Sequence, residues 1–330
     1  MSPKPNNDMF TLTSEIKIGK NTFPGIHEVV VKRSVNDVAA TAVVKLPVTA
    51  VLHTSGEAPA QIEVAKAIRV GDAVRIRLGY DGDMQDEFIG YVKRLNLKTP
   101  LEVECEDAFY LTRGRNVTLS GTNTLETVLA ACGLNVARAE SLTLKNFVVA
   151  DKSVAWVLMK LKKDYGLSVY FDFDGRVYAV RHGSVIGDTV RYLMRHNVVN
   201  DDKLQYMRKD DMKIYIKAVA FQKDGTKVEA KKGDESGTAK TLYFYGVTDM
   251  SELATLAQIE LDRYSFDGYQ GQITTFLQPF AAPGMVAQVR DNVYGQRSGT
   301  YFIESVETSF GMSGARRKVE LGVKIQGYGQ

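Results

Sequence analysis

Cysteine is nearly absent from this chain: 330 residues hold only Cys105 and Cys132, and neither sits in a CxxC or other paired motif. That excludes a disulfide scaffold. Cys105 lies in the alternating run Leu101-Glu102-Val103-Glu104-Cys105, on the side of Leu101 and Val103, and reads as a core thiol in a reduced compartment. A strong charge of one sign is also missing. The 42 basic and 39 acidic residues leave a formal +3, too little for direct nucleic-acid binding. The one basic run, Arg316-Arg317-Lys318, reads as an exposed strand face rather than a phosphate track. No apolar stretch is long enough to span a bilayer, so membrane insertion is not expected. The opening MSPKPNND has no apolar segment behind its lysine. Synthesis in the cytoplasm without a signal peptide is therefore the expectation.

Catalytic signatures are missing too. There is no GxSxG, HExxH or GxGxxG, and Gly295-Gln296-Arg297-Ser298-Gly299 misplaces its serine for a nucleophile elbow. The stretch KKGDESGTAKT (231–241) has the wrong spacing for a phosphate loop, carries Asp234 and Glu235, and reads as a solvated loop. The four histidines, His27, His53, His182 and His196, are far apart, so any constellation around them would have to be assembled by the fold. No catalytic, cofactor-binding or metal residue is assigned, no cofactor is implied, and the chain is not read as an enzyme. Aromatic residues crowd the last third: Tyr243, Phe244, Tyr245, Tyr264, Phe266, Tyr269, Phe276 and Phe280. At strand spacing they suit a core or an interface.

What the chain does have is alternation. Residues 10–50, 73–80, 88–95 and 101–105 read as antiparallel strands, with the polar segment 53–66 as a loop or short helix. Around residue 120 the pattern changes. Thr124–Gly133 is a short helix with Thr122 to Thr124 available as caps. A longer one follows, capped by Asp151, with Val154, Val157, Leu158, Leu161 and Tyr165 on one face and Gly166 as its stop. A hairpin turns at Asp174-Gly175. Strands resume at Lys213–Phe221, with a turn at Asp224-Gly225, before a helix over 249–264 capped by Ser251 and a closing set of strands. The fold class is mainly β with an α+β insert: an amino-terminal tail 1–9, expected to be disordered, a first β-domain 10–115, an α+β domain 116–200, and a second β-domain 201–330 that includes the helix.

Two segments share an order of features. Gly71–Arg77, Phe88–Val92 and Leu101–Glu104 match Gly284–Arg290, Phe302–Val306 and Lys318–Leu321, with Ile89 falling against Ile303. Within the first copy, Asp81, Asp83, Asp86 and Glu87 suggest a cation site. The corresponding loop of the second copy, DNVYGQRSGT, keeps only Asp291 and adds Arg297. A calcium site also needs an ordered ladder of oxygen ligands that this stretch lacks. Positions 81–87 therefore read as a solvated hairpin tip.

The runs VGDAVRIRLGY, FIGYVKRL and PLEVECEDAFYLTR resemble the first β-domain of Mu-like phage tail baseplate hub proteins. LKKDYGLSVYFDFDGRVYA is similar to the α+β segment of those proteins and of the related late control protein D group. GYQGQITTFLQPFAAPGMVAQV and GTYFIESVETSFGMSGARRKVELG resemble their closing β-domain. The hub region of the VgrG spike proteins is related. This resemblance implies two tube-type antiparallel β-barrel domains flanking the small α+β domain. It also implies a homotrimer forming a pseudo-sixfold ring, with a tail tube protein and a spike protein as partners and a virion baseplate or injection machine as destination. It points to no interface residue. Two other readings stay open: a tail-associated cell-wall hydrolase and a carbohydrate- or host-binding β-protein.

Overall fold

The computed structural model describes residues 11–23, 25–54, 60–144, 147–222, 226–245, 247–295 and 298–325. The amino-terminal tail, Pro24, the Asp224-Gly225 turn and Arg297 lie outside the described residues. The fold is β-rich, and the chain divides into two compact units. One comprises Met1–Val31, Thr41–Glu106 and Thr308–Arg316, and the other Lys32–Ala40, Asp107–Glu307 and Arg317–Gln330.

In the first unit the strands Thr41–Leu46, Leu101–Glu106, Asp83–Asn96, Ala73–Tyr80, Leu12–Ile18, Asn21–Phe23, Thr49–Thr54 and Ala60–Glu63 are neighbours in that order, each antiparallel to the next. Period-two alternation places Val74, Ile76 and Leu78 inside and Arg75 and Arg77 outside. Ile16, Phe88, Val103 and Cys105 face the same core, each aliphatic or aromatic side chain contributing about 1.5–3 kcal/mol. The polar segment 53–66 is more ordered than expected. It contains the end of one strand, the strand Ala60–Glu63 and the single-turn helix Val64–Ala67.

Among the described residues the second unit holds three larger cores and a smaller one around Val35, Tyr170, Val180, Phe302 and Val323. In the first, the helices Leu125–Ala131 and Val154–Tyr165 pack on the hairpin Leu167–Phe171 and Val177–Arg181. Thr124 caps the shorter helix, accepting from the Thr127 amide. Ser153, not Asp151, caps the longer one by accepting from the Trp156 amide at 3.2 Å. Asp151 stands in the preceding strand at φ 48, where its carboxylate accepts from Asn116. Gly166 closes the helix at φ 64, and a Cβ there would lie 2.0 Å from the Tyr243 ring, so the position admits glycine only. The strand Val136–Ala139 runs parallel to Val177–Arg181.

The second core belongs to a three-stranded sheet covered by a helix. Ile214–Phe221 lies in the centre, antiparallel to Lys227–Gly233 and parallel to Thr238–Phe244. The stretch 231–241 is therefore mostly strand, not a solvated loop. Only Asp234–Gly237 turns, passing beneath the start of the central strand through Asp234 N–H to Ile214 O and Thr238 N–H to Lys213 O. The helix Met250–Tyr264 buries Leu253 and Ala257 here. Its cap is Asp249, which accepts from the Ser251 amide and hydroxyl, so Ser251 is the partner of the cap. The third core lies under Thr189–Leu193, Val286–Arg290, the second-unit parts of Gly299–Gly311 and Gly314–Lys324, Gly268–Thr275 and Val198–Met207, which are neighbours in that order.

Candidate functional site: a repeated meander

The two segments matched in sequence are built on the same backbone bonds. In the first copy Gly71, at φ 92, donates to Val92 O, and Val92 donates back to Asp72 O, both at 2.9 Å. In the second copy Gly284, at φ 88, donates to Ile303 O, and Ile303 donates to Met285 O, again at 2.9 Å. Val92, not Ile89, is thus the counterpart of Ile303, a shift of three residues from the sequence match. The path from glycine to this partner is two residues longer in the first copy. Part of the difference is a bulge: Ile76 faces Phe88 and Arg77 faces Asp86, which leaves Glu87 without an opposite residue. The copies diverge at the next strand over. Leu12–Ile18 runs antiparallel to the first, whereas Thr189–Leu193 runs parallel to the second.

The four acidic residues of the first copy are dispersed. Asp81-Gly82, both with positive φ, form a two-residue turn joining Tyr80 to Asp83. Asp81 accepts from the Thr11 amide at 2.8 Å. Asp86 takes a two-pronged bond from Arg75 at 2.7 and 2.8 Å, and this guanidinium holds its carboxyl below the usual range. Glu87 points inward, is buried, and accepts from Thr308 at 2.9 Å. The solvated-tip reading is therefore wrong for Glu87, because the bulge reverses its side. Among the described residues no group of three or more His, Cys, Asp or Glu is placed to hold a metal ion.

The basic run is also split by alternation. Arg316 and Lys318 lie on the outer side, but Arg317 is 0% exposed. Its guanidinium donates to Leu277 O and, at 2.9 Å, to Pro279 O, and it lies 5.0 Å from the Phe280 ring centre. Asp291 is similarly inside. Burial acts to raise its pKa, but the amides of Tyr294 and Val293, the Tyr269 hydroxyl and Arg195 together hold it low. Ser298 accepts from the Asp291 amide at 3.0 Å and so braces this loop. Burial pushes the Cys105 thiol up to about 12 and the Cys132 thiol up to about 11, the opposite of an activated thiolate. Of the late aromatics, Phe244, Phe266 and Tyr269 are buried, whereas Tyr243 and Tyr245 stack beside Phe221. Phe276 is 41% exposed.

One polar cluster is assembled from distant positions. Ser168 Oγ lies 3.3 Å from His182 Nδ1, and His182 Nε2 lies 3.6 Å from Glu304 Oε1. Asn36 donates to the other Glu304 oxygen at 3.2 Å. The imidazole, followed by Asn36, keeps the Glu304 carboxyl below its ordinary range against the effect of burial. The members of this cluster come from four separate stretches of chain, and no spacing in the sequence ties them together.

No family model matches the sequence, and no curated protein sequence does. Solved structures do match. The 43 kDa tail protein of prophage MuSo2 from Shewanella oneidensis superposes with a TM-score of 0.57 at 15% identity, covering 93% of this chain and 97% of that one. The tail protein of Neisseria meningitidis MC58 gives 0.58 at 13%, covering 96% and 97%. The E. coli c3393 protein, described as a component of the type VI secretion system, gives 0.53 at 9%, covering 97% and 78%. Over nearly its whole length, the chain has the fold of these tail proteins.

Proposed function

We propose that this chain is the structural baseplate hub of a contractile phage tail or a related injection machine. Three copies form a pseudo-sixfold ring that joins a hexameric tail tube to a trimeric spike, with no catalytic role. Residues 10–115 and 201–330 supply two tube-type β-barrel domains, flanking the α+β domain 116–200. The observation that carries this reading is the repeated meander with its matching pair of glycine-anchored hydrogen bonds. A chain with two similar β-units offers six of them per trimer, which is what matching threefold to sixfold symmetry requires. The fold shared with tail proteins supports the same conclusion. On this reading the protein is made in the bacterial cytoplasm and ends in a virion baseplate or an injection machine.

Light scattering on the purified 36.6 kDa chain is expected to give three times that mass, with ring-shaped particles in negative stain. A chain that stays monomeric at high concentration, alone and with a tube or spike protein, would overturn the proposal.

A further inference from the structure

A cleft of about 320 Å³ opens inside the second unit, large enough for a small ligand. Its walls come from the last turn of the helix Val154–Tyr165, the end of the strand Val177–Arg181, the strand Thr238–Phe244 and the helix Met250–Tyr264. Each of the first three contributes a cation: Lys162, Arg181 and Lys240. Glu260 is the sole carboxylate of the lining, and it is divided between Arg181 at 3.9 Å and Arg263 at 3.6 Å. His182 also lines the cleft, its ring fixed between Ser168 and Glu304.

Lys162 and Lys240 are the informative pair. Among the described residues neither has an ion-pair partner within 4 Å. Lys240 rests its ammonium 4.9 Å above the Tyr264 ring. Burial lowers the pKa of Lys162, with only a weaker opposing pull from Asp37. Lys162 and Lys240 thus line the cleft with no carboxylate in ion-pair reach among the described residues, although Glu304 attracts the Lys240 charge from farther off, and an anion bound beside them would supply the countercharge. We propose that this cleft binds a compact oxyanion-bearing ligand, a phosphate or carboxylate group seated between Lys162, Arg181 and Lys240. A second cavity of about 460 Å³ shares Lys240 and Tyr264 and adds Lys213, but three carboxylates, Asp211, Glu304 and Glu320, also line it, so the first cleft suits an anion better.

The inference rests on one unit of the chain and does not depend on the trimeric hub reading. The test is titration of the full chain with inorganic phosphate and, separately, citrate, each against chloride at matched ionic strength. Heat and the NMR signal of the His182 imidazole are followed together. Saturable binding that moves the His182 signal is expected for at least one ligand. The stronger of the two identifies the group as phosphate or carboxylate. Lys162→Gln and Lys240→Gln should each weaken it about tenfold, while Lys209→Gln, outside the cleft, leaves it unchanged. Circular dichroism in chloride verifies that the variants fold. No saturable binding, binding that leaves His182 unmoved, or equal binding by the lysine variants would overturn the proposal.

Discussion

Arg317 occupies an inward position of a strand whose other inward residues are Ala315, Val319, Leu321 and Val323. Its guanidinium serves the carbonyls of Leu277 and Pro279, which leave regular structure just after the strand Gly268–Thr275. Arg317→Met keeps much of the volume and removes the donors. It should lower stability by about 3 kcal/mol, read from urea unfolding, whereas Arg316→Met should cost less than about 1 kcal/mol. Equal effects would show that the buried donors are not what matters. At this scale the sequence is least transparent. Charge reads as exposure, and both Arg317 and Glu87 break that rule because alternation and a bulge turn them inward. The inward, apolar residues around them, such as Val319 and Ile76, were legible because burial favours their type wherever the period places them.

Among elements, the meander is the informative one. Gly71 and Gly284 begin equivalent strands at φ 92 and φ 88, a region L side chains rarely enter. Gly71→Ala and Gly284→Ala should each destabilise by about 1–3 kcal/mol. For Gly284 the added Cβ would also meet Ile186 at 2.5 Å. Gly295, with ordinary φ and open space around it, is the control and should tolerate alanine. Urea midpoints for the three variants decide the matter. The repeat is legible because strand order and the opening glycine are visible as pattern. Its partner residue is not, to within three positions, because a bulge adds length without leaving a mark in composition. The helix stops at Gly133 and Gly166 were readable, but the caps were not. Asp151, Ser153, Asp249 and Ser251 are all competent caps, and one residue of backbone geometry selects among them.

For the whole molecule, likeness to tail proteins persists at 13–15% identity because the fold constrains alternation, turns and a few glycines rather than particular side chains. The Ser168–His182–Glu304 cluster and the cationic cleft have no such pattern. They exist only once distant strands and helices are brought together, which is why neither was legible. The two cysteines offer a different use of the same architecture. Cys105 is buried in the first unit and Cys132 in the second, each with a thiol that burial keeps protonated. They are therefore native clocks, one per unit, that a thiol reagent reads only when the surrounding core opens. Labelling across a urea series, with the two sites resolved by peptide mass, should give separate midpoints, since each unit has a core of its own. A single shared midpoint would show that the units open as one. Without any engineered probe, the chain can report where its own cooperativity ends.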